Sequence, residues 1–135
     1  MAAQLYHLDT STIVLFLRAK SPRVRTKINS VSPGQIAVSQ VARGELLVGC
    51  LKSQRPDFHR ERLDRFLANI ATVDLDALVA EHCAEIRAEL ESISRSIGPN
   101  DLFIAATARA AGAVMVTTNE DEFRRVPRLK VENWS

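Results

Sequence analysis

The sequence predicts an α/β fold in which a short, mainly parallel sheet is flanked by helices on both faces. Three observations carry that expectation. Short apolar runs alternate with longer stretches of helical spacing along the whole chain, the order produced by β–α–β units. The runs are continuously apolar, as strands covered on both faces are. Cap and turn residues (Ser21-Pro22, Pro33-Gly34, Pro56, Asp76, Pro99 and Gly112) separate them. With 135 residues, 46% hydrophobic and 25% charged, the chain is expected to form one domain over 1–135. That is enough to bury a core without disulfide or metal staples.

The elements follow in order. Gln4 to Leu8 reads as a first strand and Thr10 to Ala19 as the helix after it. Ser21 is a side-chain cap and Pro22 an N1 proline, which start a second helix running to about Val31. Pro33-Gly34 turns the chain into a strand over 35–39, and helical spacing resumes from Gln40 to about Leu51. A helix over 57–69 presents Phe58, Leu63, Phe66 and Leu67, and a short strand over 71–75 follows. Asp76 caps a long helix to about Ser94. The next helix opens at Pro99-Asn100-Asp101 and ends near Gly112, where a glycine closes it naturally. Ala113 to Thr117 is a Val- and Met-rich strand, Thr118 to Glu122 a polar turn, and Leu129 to Val131 a last strand.

The formal net charge of +2 says little, but its distribution says more. Arg18, Lys20, Arg23, Arg25 and Lys27 crowd one segment, and Arg124, Arg125, Arg128 and Lys130 crowd the tail, where they suit phosphates, an acidic partner or simply solvent. Cys50 and Cys83 lack metal-ligand spacing and read as free thiols. MAAQLYHLDTS has neither the basic start nor the apolar run of a signal peptide, and no stretch approaches the ~20 apolar residues of a membrane span, so a cytoplasmic protein is expected.

In open parallel sheets, chemistry sits beyond the carboxyl ends of the strands. Asp9-Thr10, Ser39 and Thr117-Thr118-Asn119 fall there. Asp101 shares the apolar face of its helix with Ile104, Ala105 and Ala108, and an inward carboxylate requires hydrogen bonds, a cation or a metal. Each acid also has a plain structural reading: Asp9 as a helix cap, Asp101 as a first-turn acid favoured by the helix dipole, Glu45 as an exposed residue. Taken together, Asp9, Glu45 and Asp101 in one cleft would repel one another, a conflict that Mg²⁺ or Mn²⁺ with oxygen ligands removes.

Four motifs add to this reading. LDTS at 8–11, SQVARGEL at 39–46, GPNDLFIAATA at 98–108 and VTTNEDEF at 116–123, with the ending RVPRLKVENW at 125–134, resemble the PIN-domain ribonucleases, and within them the VapC-type toxins of bacterial toxin–antitoxin pairs. The resemblance implies a three-layer PIN-like fold and a metal-dependent endoribonuclease. It places the metal-binding acids on Asp9, Glu45 and Asp101, and the fourth acidic position on Asn119, an uncharged departure. It implies supporting hydroxyls at Thr10 and Ser39, and a structural role for Glu122 and Phe123. RNA is the implied substrate, tRNA within the most similar group and there the initiator tRNA. A VapB-like antitoxin and a second copy of the chain are the implied partners. Arg18, Arg23, Arg25 and Arg124 are the candidate contacts to substrate or partner. Two rivals remain at this point: an aspartyl-nucleophile phosphatase, which lacks its second acid because Ser11 stands there, and a non-catalytic RNA- or partner-binding module, suggested by Asn119.

Overall fold

A computed structural model describes residues 3–135. Five strands form one sheet in the order β3-β2-β1-β4-β5: β1 (Tyr6–Leu8), β2 (Ile36–Ser39), β3 (Ala71–Val73), β4 (Val114–Val116) and β5 (Val131–Glu132). Every neighbouring pair is parallel. β1 is central, registered Tyr6 to Ile36 on one side and to Val114 on the other. β2 and β4 are buried at every residue, which explains their unbroken apolar runs; edge strand β3 is only partly covered.

Among the described residues seven α-helices make the crossovers: α1 (Thr10–Leu17) and α2 (Pro22–Ser30) lead from β1 to β2, α3 (Gln40–Lys52) and α4 (Pro56–Leu67) from β2 to β3, α5 (Ala77–Ser92) and α6 (Pro99–Ala110) from β3 to β4, and α7 (Glu120–Phe123) follows β4. This is the α/β arrangement expected from the sequence, a parallel sheet with helical crossovers. Most starts are set locally. Ser21, Ser39 and Asp76 side chains accept from Val24, Ala42 and Val79 N–H groups at 3.2, 3.0 and 3.0 Å, and Pro22, Pro56 and Pro99 occupy first turns. Gly112, at φ 65°, ends α6, and the next amide, Ala113 N–H, donates back to Ala108 O at 3.0 Å.

Two expectations shift. The predicted polar turn over 118–122 contains the short helix α7, whose first turn is acidic at Glu120, Asp121 and Glu122 and suits a helix start. The last strand lies at Val131–Glu132 rather than 129–131, because pairing with Met115 and Val116 sets it.

Helix α6 positions the site and is buried almost all round. Leu102, Ile104, Ala105, Ala106, Thr107, Ala108 and Arg109 are all covered. Its alanines let it lie close between sheet and helices, and α5 packs along it through Val79, Cys83, Ile86 and Leu90. The buried Arg109 side chain is partnered at every nitrogen: Nε donates to His82 Nδ1 at 2.8 Å, Nη1 to Pro127 O at 3.2 Å and Nη2 to Glu85 Oε1 at 2.9 Å. His7, buried in β1, has its pKa pushed down to about 4 by burial, so it is neutral there. The buried Trp134 ring meets Tyr6 edge-on at 5.1 Å. Because Ile86 is fully buried in this packing, Ile86→Ala should lower stability by about 2–5 kcal/mol, whereas Leu51→Ala, at an exposed position, should stay within about 0.5 kcal/mol; urea denaturation reads both.

Candidate active site

Asp9 follows β1 directly and is buried, 5% exposed. Its Oδ1 accepts from Thr12 N–H at 3.0 Å and from Ser11 Oγ at 2.7 Å, and its Oδ2 from Thr117 Oγ1 just past β4. Both lone pairs of Oδ1 are thereby engaged, and Oδ2 retains one. Asp9 is thus the cap of α1 and also a carboxylate fixed across two neighbouring strands. Thr117 relays further, accepting from Asn119 N–H at 2.9 Å.

Glu45 comes from the second turn of α3 and is held by two other elements. Thr10 Oγ1 donates to its Oε1 at 2.6 Å and Asn100 Nδ2 to its Oε2 at 3.4 Å. Ser39, also buried, does a different job: its hydroxyl caps α3, and among the described residues it makes no hydrogen bond to an acid. Asn119 lies exposed before α7, and its Nδ2 donates to Glu122 Oε2 at 2.7 Å.

Asp101, in the first turn of α6, is the electrostatic centre. Its pKa is pushed up to about 7, first by burial, then by a hydrogen bond with Glu122, then by the negative charges of Glu122, Glu45 and Asp9. Glu122 is held below the ordinary glutamate range, chiefly by the Gly98 N–H that donates to its Oε1 at 2.7 Å, and then by Asn119 and Asp101. The two carboxyl groups therefore titrate as a coupled pair, with Asp101 raised and Glu122 lowered. The sequence reading makes Glu122 structural, yet the fold hydrogen-bonds it to Asp101. Its signal in the sequence is faint: the third of three consecutive acids after Asn119, in a segment read as a turn.

The donors are hard oxygens. No group of three His, Cys, Asp or Glu side chains among the described residues is gathered as a metal cage. Hard oxygen donors of this kind are the ligands of Mg²⁺, which keeps several waters and leans on one or two carboxylates. A crowded set of carboxylates that keeps a proton near neutrality is chemistry a divalent cation satisfies.

Beside Glu45, a groove of ≈ 120 Å³ runs between α1, α3 and α4, with Thr10, Val14, Leu17, Arg18 and Leu63 in its walls. Arg18 therefore adjoins the acids. Arg23 and Arg25 project from α2 into solvent. Arg124, on the far side, is paired with Glu120 at 2.9 Å.

The raised pKa of Asp101 fixes the sign of a pH effect. Its folded value lies above its unfolded one, so between the ordinary carboxylate range and about 7 the folded chain binds more protons, and stability falls as pH rises. Asp101→Asn removes that repulsion. In chelator-treated protein, thermal denaturation should show the variant's stability relative to the parent chain to be more favourable at pH 8 than at pH 5.

Comparison with known proteins agrees with this architecture. The PIN domain family model matches residues 6–129. The tRNA(fMet)-specific endonuclease VapC of Shigella flexneri is 38% identical over 130 residues, which is 96% of this chain and 98% of that protein. The crystal structure of VapBC2 from Rickettsia felis bound to a promoter DNA fragment contains a chain 33% identical, with a TM-score of 0.91, covering 98% of this chain and 100% of that one. DNA-bound VapBC from Salmonella typhimurium gives 31% identity and a TM-score of 0.92, with 98% and 100% coverage. Strand order, the match along nearly the whole chain and these identities lead to one conclusion: the chain belongs to the PIN-domain family, among its VapC-type toxin ribonucleases.

Proposed function

We propose that this chain is a Mg²⁺-dependent endoribonuclease, with Mn²⁺ as a substitute, that hydrolyses phosphodiester bonds in tRNA and is restrained by a VapB-like antitoxin. The observation that carries the reading is Asp101, part-buried in the first turn of α6, where the charges of Glu122, Glu45 and Asp9 reach it. The tRNA assignment rests on the Shigella flexneri relative, which is named for tRNA(fMet), and the antitoxin on the VapBC complexes that the chain resembles. A homodimer belongs to the same reading.

Asp9 and Asp101, with Glu45 directly or through water, are the residues that would hold the cation. When bound, the ion offsets carboxylate charge, polarises the scissile phosphate and lowers the pKa of a water molecule. The remaining work belongs to the chain. Thr117, Ser11 and the Thr12 amide keep Asp9 in one orientation, and Thr10 and Asn100 do the same for Glu45. Gly98 and Asn119 anchor Glu122, which fixes the position of the Asp101 carboxyl. Such prior orientation removes reorganisation from the reaction itself. Asn119 lacks charge, so it serves here as an anchor and a possible water ligand rather than as a fourth acid. That missing charge is also the one feature favouring a non-catalytic module.

Asp9→Asn and Asp101→Asn should each lower cleavage of a purified tRNA pool by about 100-fold or more while the melting transition stays cooperative. Full activity in either variant removes that residue from the mechanism. Chelation by EDTA should abolish cleavage and excess Mg²⁺ restore it; cleavage that survives chelation contradicts the metal, and absence of cleavage under every metal condition favours the binding module. Light scattering should read twice the 15.0 kDa chain mass if the homodimer is correct.

A further inference from the structure

The sheet order places α3, with Glu45, on one side of β1, because α3 follows β2, and α7, with Glu122, on the other, because α7 follows β4. The Glu45 side opens into the groove that contains Arg18. The Glu122 side has its own basic surface. A groove there is lined by Ile93, Arg95, Asp121, Arg124 and Arg125, between the end of α5 and α7. It carries three guanidinium groups against one carboxylate.

The charges in this groove are not equally available. Arg124 is tied to Glu120 at 2.9 Å. Arg95 and Arg125 form no salt bridge among the described residues, whereas Arg60, Arg65 and Arg87 on α4 and α5 are each paired with an acid one turn away. Arg125 is steadied by a carbonyl instead: Nη1 donates to Ser96 O at 3.1 Å, and its buried Nε has no acceptor. Its positive charge also contributes to holding Glu122 low.

The backbone aims Arg95 into the groove. Two residues past the end of α5, Ser94 stands at φ 55°, a left-handed conformation that disfavours a side-chain-bearing residue. Ser94 N–H donates to Glu91 O at 3.1 Å and Arg95 N–H to Leu90 O at 2.9 Å, so the chain reverses sharply and presents Arg95 beside α7. Arg95 precedes Gly98 by three residues and Arg125 follows Glu122 by three, and Gly98 and Glu122 are themselves hydrogen-bonded. Both arginines thus line one groove and lie within three residues in sequence of a partner in this anchoring bond. Ile93, 60% exposed at the groove's lip, offers an apolar contact for a ribose or base.

We propose that the groove between the end of α5 and α7 is a phosphate track, in which Arg95 and Arg125 grip the backbone of the RNA strand leaving the acid cluster on its Glu122 side. The proposal rests on the ribonuclease reading and names residues for its substrate. Affinity from such contacts is salt-dependent, since each neutralised phosphate releases counterions.

The test measures binding of fluorescently labelled, unfractionated tRNA to the full chain silenced by Asp101→Asn. Adding Arg95→Ala and Arg125→Ala should weaken binding about tenfold or more near 0.1 M salt and make the slope of log affinity against log salt shallower by about 1–2. Arg60→Ala with Arg65→Ala removes the same formal charge elsewhere and should change affinity less than about twofold. Arg95→Glu, at an exposed position without structural bonds, is measured alone, so a folding defect from the Arg125 change leaves the test intact; it should weaken binding at least as much as Arg95→Ala. Unchanged affinity and slope in the Arg95 variants, or an equal loss in the Arg60/Arg65 pair, overturns the track. If the parent chain still cleaves tRNA, only the track falls. If the parent chain neither binds nor cleaves it, the ribonuclease reading falls too.

Discussion

Like charge held together at one end of a parallel sheet is the constraint on which the rest of this structure depends. Four carboxyl groups come together there, from a strand end, a mid-helix position, a helix start and a four-residue helix, and burial, a hydrogen bond with Glu122 and the charges of Glu122, Glu45 and Asp9 push the Asp101 pKa up to about 7. Such an arrangement opposes folding, and the scaffold counters it with oriented donors. Asp9 receives three, Glu45 two, and Glu122 a backbone amide and a side-chain amide. The strain of this cluster is the physical basis for reading it as a cation and phosphate site.

The donors themselves depend on the fold's most ordinary features. Asp9 is an N-cap, and the capping bond to Thr12 is one of the bonds that orient it. A structural reading and a functional reading of that aspartate are therefore compatible, since one geometry serves both. Ser39 resolves differently. It caps α3 from the end of β2, and its contribution to the site is indirect, through the start of the helix that carries Glu45.

Burial decides where flexibility is spent. Helix α6 is packed with alanines between sheet and helices, so its first turn has little freedom and Asp101 is delivered to a fixed place. The arginines have the opposite character. Arg18 and Arg95 are exposed, and Arg125 is bound by a single carbonyl, which suits side chains that follow a flexible, negatively charged strand.

Element order, most helix starts, the parallel sheet and the placing of Asp9 at a strand end were legible in the sequence, because caps, prolines and apolar runs act over a few residues. The motif resemblance likewise pointed to Asp9, Glu45 and Asp101, since a motif is a local string. Contacts between distant segments were not legible. Glu122 meets Gly98 across 24 positions, Asn100 meets Glu45 across 55, and Thr117 meets Asp9 across 108. No local preference encodes such pairings. They exist only once β1, β2 and β4 lie side by side, and that packing turned a residue in an apparent polar turn into a partner of Asp101.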